Sequence, residues 1–366
     1  MLRNSMKILL ISSGTEGKDG WSVYTRTLTD GLQQAGHDNY HAENLGTPLS
    51  YFTNPLFAFL NAGKLRKQIK KINPDIIHIT VEPYSAMLPR LGKKIAAKTV
   101  LTIHGSYGVR MLQGSVNKKR SCWVLQHVGK CIVVSEYTKK RVTDEVRLQC
   151  GDIVAKQFSE NVEVIKNGVE PPAAIAYSEN TVKQILCVGG VKPRKGILES
   201  LKALAQYIKT TDKNVHMTIV GSYKKNDAYM QSIQNFVYGQ SLSECVTFTG
   251  TLSDEELQKI YTQTDLYLMP AKTTPDTFEG FGIVFIEAAG YGIPCIGTND
   301  SGAAEAIDEG VSGYKCNPND IDALVKAMEN ILNEEKIDRT ACRNWAEKHT
   351  ADAMVSAIES LYRTLV

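Results

Sequence analysis

Residues 184–196 read Gln-Ile-Leu-Cys-Val-Gly-Gly-Val-Lys-Pro-Arg-Lys-Gly. A short apolar run ends in paired glycines, and three cations follow at the mouth of an amphipathic stretch. This is how a βαβ unit opens. Working outward, similar runs recur at residues 216–220, 246–249, 266–269 and 294–297, and before the quoted stretch at 7–12, 76–80, 99–103 and 131–134. Continuous apolar runs, rather than alternating ones, are strands buried on both faces, and helical stretches between them make the sheets parallel. Residues 23–35 have helical spacing and stop at Gly36, and the basic stretch 64–72 reads as a helix ending before Asn73-Pro74. The fold class is therefore α/β, with two doubly wound, Rossmann-like domains in tandem.

The length agrees, since 366 residues exceed what one hydrophobic core organises. The junction falls at residues 167–179, where Gly, a Pro pair and polar residues separate the two apolar series. After residue 319 the chain reads as helices only, at 320–333 and from 339 to the end. Expected boundaries are 1–170 for the first domain, 171–345 for the second, and 346–366 for a terminal helix that packs back on the first.

With 43% hydrophobic and 22% charged residues, 28 Gly and 12 Pro, disorder, collagen and coiled coil are excluded. No apolar stretch reaches membrane-span length, and the opening MLRNSMKILLIS has no cleavage site, so a cytoplasmic protein is expected. The eight Cys form no C-x-x-C pair and read as reduced thiols filling apolar space.

The net charge of +3 hides an asymmetry. Residues 1–176 carry 24 Lys and Arg against 14 Asp and Glu, whereas residues 177–366 carry 18 against 25. The basic half gathers its charge at Lys64, Arg66, Lys67, Lys70 and Lys71, at Lys93, Lys94 and Lys98, at Lys118, Lys119 and Arg120, and at Lys139, Lys140 and Arg141. These clusters suit either solvated surface or anionic lipid head groups and phosphate-bearing acceptors. No aromatic-interleaved signature or zinc finger accompanies them, so nucleic acid is not an expected partner.

The loops carry the chemistry. Lys192, Arg194 and Lys195, beside Gly189-Gly190, offer a guanidinium fork and ammonium charges suited to a diphosphate. Residues 276–290 place Glu279 and Glu287 eight apart around Gly280-Phe281-Gly282-Ile283-Val284, a loop running into a helix whose free N–H groups can meet phosphate or sugar hydroxyls. Glu287, among Ile286, Ala288 and Ala289, calls for a hydroxyl or cation partner. Asp320-x-Asp322 has metal-ligand spacing, but it follows Asn317-Pro318 at a helix start, where capping accounts for it.

With Asp19-Gly20, Pro74-Asp75-Ile76-Ile77-His78, Thr102-Ile103-His104-Gly105, Asn167-Gly168-Val169 and Gly302-x-x-Glu305, these motifs resemble the retaining glycosyltransferases of glycosyltransferase family 4, which have the GT-B fold. The resemblance implies two domains facing across a cleft, and transfer of a sugar from a UDP- or GDP-sugar donor to a glycan or lipid-linked acceptor in cell-surface polysaccharide, lipopolysaccharide or glycolipid synthesis. With Asp320-x-Asp322 read as capping, no metal and no further cofactor is expected, and the basic clusters suggest contact of the first domain with the inner face of an anionic membrane. Arg194 and Lys195 would hold the donor diphosphate, Glu279 the donor sugar near its 3-hydroxyl, and Glu287 the ribose hydroxyls. The amides of Gly280, Phe281, Gly282, Ile283 and Val284 would contact sugar and phosphate, with Gly190 and Asn167 completing the nucleotide-sugar site. His104 would face the sugar, and Gly20 would approach the diphosphate or acceptor. The family's usual Gly-Gly after the first strand is here Asp19-Gly20, followed by Trp21. A phosphorylase, a sugar-nucleotide epimerase or an inactive sugar- or lipid-binding homologue would share this architecture.

Overall fold

A computed structural model describes residues 5–173, 180–211, 214–224 and 226–366. The chain divides into two compact units, Met1–Gly168 with Ala351–Val366, and Val169–Thr350. Of the junction at residues 167–179, positions 174–179 lie outside the described residues.

The first unit holds β1 (Lys7–Ile11), β2 (Asp38–His41), β3 (Ile76–Ile79), β4 (Thr99–Ile103), β5 (Lys130–Val133) and β6 (Val162–Val164) in the order β2-β1-β3-β4-β5-β6. The second holds β7 (Lys183–Val188), β8 (Val215–Val220), β9 (Val246–Gly250), β10 (Leu266–Leu268), β11 (Cys295–Thr298) and β12 (Gly313–Cys316) in the order β12-β11-β10-β7-β8-β9. All pairs are parallel. In each sheet the chain winds outward from a central strand and then crosses back, so a switch point lies between β1 and β3 and between β7 and β10. Loops leaving a sheet there splay apart and open a crevice at the strands' carboxyl ends.

Three strands escaped the sequence reading: β2, β6 and β12. Each is the edge of its sheet, and β2, Asp-Asn-Tyr-His, has no fully buried residue. An edge strand faces solvent on one side and needs no continuous apolar run. The basic helix also begins earlier, running Pro55–Ile72 from the cap of Asn54, whose side chain accepts from Leu56 and Phe57 N–H. Asn-Pro at positions 54–55 is the capping signal that would have placed it. The terminal helical stretch is broken into Arg339–Ala346 and Ala351–Tyr362, because Thr350 bridges Val169.

The cysteine reading needs one correction. Cys122 and Cys150 are joined as a disulfide, Cα–Cα 5.6 Å. They lie on helices Ser115–His127 and Glu136–Cys150, whose packing brings together residues 28 apart in sequence, a distance no local spacing announces. The other six remain thiols, five of them buried.

Candidate active site

The second unit's switch point collects its charged motif residues. The turn after β7 carries Arg194 and Lys195, and the loop after β10 carries Glu279. One Glu279 oxygen accepts from the Lys195 ammonium at 2.9 Å and from the Arg194 guanidinium. Burial alone would push this carboxyl up, but Lys195 and Arg194 outweigh it and hold the pKa near 2. Glu279 is therefore an anion at neutral pH, and the three side chains sum to one positive charge, facing whatever enters the loops.

The turn is fixed from several sides. Gly196 has φ +66°, and a Cβ there would stand 1.9 Å from the Pro270 carbonyl oxygen, so only glycine lets the two loops touch. Lys272 N–H donates to the Arg194 carbonyl at 2.7 Å, while the Lys272 ammonium reaches the buried Glu199 at 2.7 Å. Gly189-Gly190 lies against the chain leaving β8, with Gly189 N–H on Val220 O and Val191 N–H on Ser222 O.

Glu279 leads into helix Ile283–Gly290, whose N-cap is Gly282 at φ 76°, with no side-chain cap. Phe285 N–H turns back to the Gly282 carbonyl at 3.0 Å, but no side chain caps the helix, so its N-terminal dipole end suits an anion in the same unit as the Arg194–Lys195 pair. Ile283 and Val284 are half-buried there, while Phe281 and Phe285 anchor the segment in the core. One turn on, Glu287 has the hydroxyl partner its apolar setting demands: Tyr261 donates to it at 3.4 Å, and burial pushes the Glu287 carboxyl up. Tyr261 stacks on Tyr291 at 4.9 Å. Gly190, Arg194, Lys195, Glu279, residues 280–284 and Glu287 all belong to this unit.

Gly20, His104 and Asn167 belong to the first unit. Gly20 opens helix Gly20–Gln34 with open space before it, and Asp19 caps the helix by accepting from Trp21 and Ser22 N–H. The anion at this N-terminus is thus the chain's own, which accounts physically for Asp in place of the family's Gly. His104 follows β4. Its Nε2 lies 2.9 Å from the Thr80 carbonyl, so this nitrogen carries the proton. Burial pulls its pKa to about 4, leaving a neutral ring at physiological pH with Nδ1 as acceptor. Asn167 keeps a buried Oδ1 without a hydrogen-bond partner among the described residues.

The sequence reading missed Glu82, which follows β3 at the first unit's switch point and is fully buried. Its backward signal was position: an acidic residue and Pro83 just beyond a buried strand, where the loops of such sheets gather ligands. Among the described residues no group of three or more His, Cys, Asp or Glu is placed to hold a metal ion. Asp320 caps helix Ile321–Leu332 and Asp322 accepts from Gln206.

Two six-stranded parallel sheets, the second with a cation cluster at its switch point, match the architecture of GT-B glycosyltransferases. Residues 18–171 match the family described as Glycosyltransferase Family 4, and residues 175–349 match Glycosyl transferases group 1. The chain belongs to these family 4, group 1 glycosyltransferases. Glycogen synthase of Mycobacterium tuberculosis is 23% identical over 343 residues, covering 89% of this chain and 77% of that protein. Sucrose-phosphate synthase of Thermosynechococcus elongatus superposes with a TM-score of 0.76 at 20% identity, covering 98% of this chain and 99% of the other. Anabaena HepE in complex with UDP-glucose does so with a TM-score of 0.72 at 17% identity, covering 98% and 100%.

Proposed function

We propose that the protein transfers a sugar, with retention at the anomeric carbon and without a metal, from a UDP- or GDP-sugar to a glycan or lipid-linked acceptor of the cell surface. The observation that carries this is the convergence of Arg194, Lys195 and Glu279 beside the uncapped helix Ile283–Gly290. The two cations and the helix terminus meet the diphosphate and take up the charge that grows on it as the anomeric C–O bond breaks. Glu279 accepts hydrogen bonds from the donor sugar, and Glu287 accepts from ribose. Retention follows from front-face attack. The acceptor oxygen bonds to the anomeric carbon on the face the phosphate leaves, and the departing phosphate oxygen takes the acceptor's proton. HepE, a structural neighbour, was solved with UDP-glucose, which favours UDP-sugars for the first trials.

The direct test is thermal shift and turnover with UDP, GDP and their sugar conjugates, with EDTA present. One nucleotide should raise Tm by mass action, and its sugar should be transferred with its anomeric configuration kept. If no nucleotide shifts Tm, or transfer inverts the configuration, the reading fails.

The acceptor side supports a membrane role. On helix Pro55–Ile72, Leu56, Phe59 and Leu60 are 60%, 48% and 57% exposed, and Lys64 and Lys67 follow on the same stripe. An apolar end continuous with a basic one suits the head-group boundary of an anionic bilayer, and no described helix is long and apolar enough to cross one. Phosphatidylglycerol vesicles should bind the full chain in low salt and release it as salt rises. The variant L56S/F59S/L60S should bind several-fold less; equal binding would sink this role.

A further inference from the structure

β1, β3 and β4 are neighbours, so the loops after them leave one edge of the first sheet side by side. A single side chain ties all three. Glu82, from the β3 loop, is fully buried. One of its oxygens accepts the backbone N–H of His104 at 2.6 Å, and the other accepts the indole N–H of Trp21 at 3.0 Å. A buried carboxylate is costly unless its oxygens are satisfied, and here the satisfaction comes from the start of helix Gly20–Gln34 and from the loop that bears His104. Burial lifts Glu82 to about 7 while these same donors pull it back.

The consequences for geometry are specific. The His104 backbone is held by Glu82 and its ring by Thr80 and by the edge of Tyr24, 4.6 Å away. Trp21, half-buried, is pinned at its N–H end by Glu82 and packs against Tyr107 at 4.7 Å, which in turn stacks on Phe52 and lies under Arg110. The result is an immobilised aromatic wall directly after the open Gly20. Its flat apolar face suits the C–H face of a pyranose, while the polar edge of such a ring stays free for hydrogen bonds.

We propose that Glu82 is a positioning residue that sets His104 and Trp21 relative to each other, and that Trp21 is the wall on which the acceptor's own sugar ring packs. This rests on the transferase reading above and narrows its acceptor to one whose reacting unit is a sugar. Glu82→Gln keeps the volume but leaves one carbonyl oxygen for two donors. Trp21→Phe keeps a ring and removes the same indole bond from the other side.

In the full chain, with a wild-type enzyme shown to transfer, Glu82→Gln should lower kcat ~10- to 100-fold, the cost of a small misplacement of reacting groups. Trp21→Phe should raise the acceptor KM several-fold. In both variants the nucleotide-induced rise in Tm should stay that of wild type, because Arg194, Lys195 and helix Ile283–Gly290, the groups proposed to meet the diphosphate, lie in the other unit. The double variant should lose less than the product of the two single losses, since both remove one shared bond. Kinetics within twofold of wild type for Glu82→Gln, or strictly multiplicative losses, overturn the proposal. Should Glu82→Gln unfold, Trp21→Phe decides alone: an unchanged acceptor KM overturns it. A wild-type chain inert toward every nucleotide sugar instead removes the transferase reading.

Discussion

Arg194→Ala lowers sugar transfer by ~10²- to 10³-fold, the loss found when one preorganised donor to a developing anion is removed, and leaves the second unit folded. Arg194 and Lys195 share one Glu279 oxygen, so removing the guanidinium does not strand a charge: the ammonium stays 2.9 Å from the carboxylate. The cluster's net charge falls from one positive to zero, and the bidentate fork that matches a phosphate edge is gone. The nucleotide-induced rise in Tm shrinks along with turnover. Glu279→Gln separates binding from chemistry. It unburdens both cations, so nucleotide diphosphate binds at least as tightly, yet transfer drops because the sugar loses its anionic partner. Transfer above a tenth of wild type in Arg194→Ala would mean that the diphosphate lies elsewhere.

This site was more legible than the sheets that carry it, for physical reasons. Arg194, Lys195 and Glu279 sit in Gly-bounded loops directly after buried strands, and loop chemistry with fixed local spacing survives in a sequence. Central strands were equally plain, because burial on both faces demands unbroken apolar runs. β2, β6 and β12 were not, because each is an edge with half-buried or exposed positions along it and so forms no unbroken apolar run. Glu82 was invisible for a different reason: its meaning lies in Trp21 and His104, 61 and 22 residues away, which only the sheet order makes neighbours. The Cys122–Cys150 pair is the same case, two helices meeting across a separation of 28.

The three-way tie of Glu82 and the triad of Glu279 use carboxylates in opposite ways. Glu279 is held near 2 by two cations and serves as fixed charge, whereas Glu82 has only neutral donors and is lifted to about 7. The first holds two cations in place as a fixed charge cluster. The second spends its hydrogen bonds inward, on the loops themselves.

Ending the chain at Thr350 unfolds the first unit and leaves the second able to bind nucleotide. Helix Ala351–Tyr362 follows the whole second unit in sequence yet completes the core of the first. Met354, Val355, Ile358, Leu361 and Tyr362 are buried in one cluster with Tyr24, Leu28 and Leu32. The approach is close: a Cβ on Gly31 would stand 2.5 Å from a Val355 methyl. At roughly 1.5–3 kcal/mol for each large side chain taken out of water, five of them contribute about 8–15 kcal/mol, as much as the entire stability of an ordinary domain, about 5–15 kcal/mol. Truncation also strips a buried polar network, since the Tyr362 hydroxyl lies 2.5 Å from His78 Nδ1 and Thr102 meets the other ring nitrogen at 2.7 Å. In the full chain His78, driven to about 3 by burial and by His104, is neutral, so Tyr362 and Thr102 meet an uncharged ring. Calorimetry of the truncated chain should therefore lose the first unit's transition, with proteases cutting within residues 5–168, while the remaining transition still rises with nucleotide. Tyr362→Phe, which removes only the hydroxyl, should cost about 1–3 kcal/mol, the penalty for an unpaired buried polar group, and leave both transitions visible. A truncated chain that keeps the first transition at its full-length temperature would place that unit's stability in β1–β6 and their own helices alone.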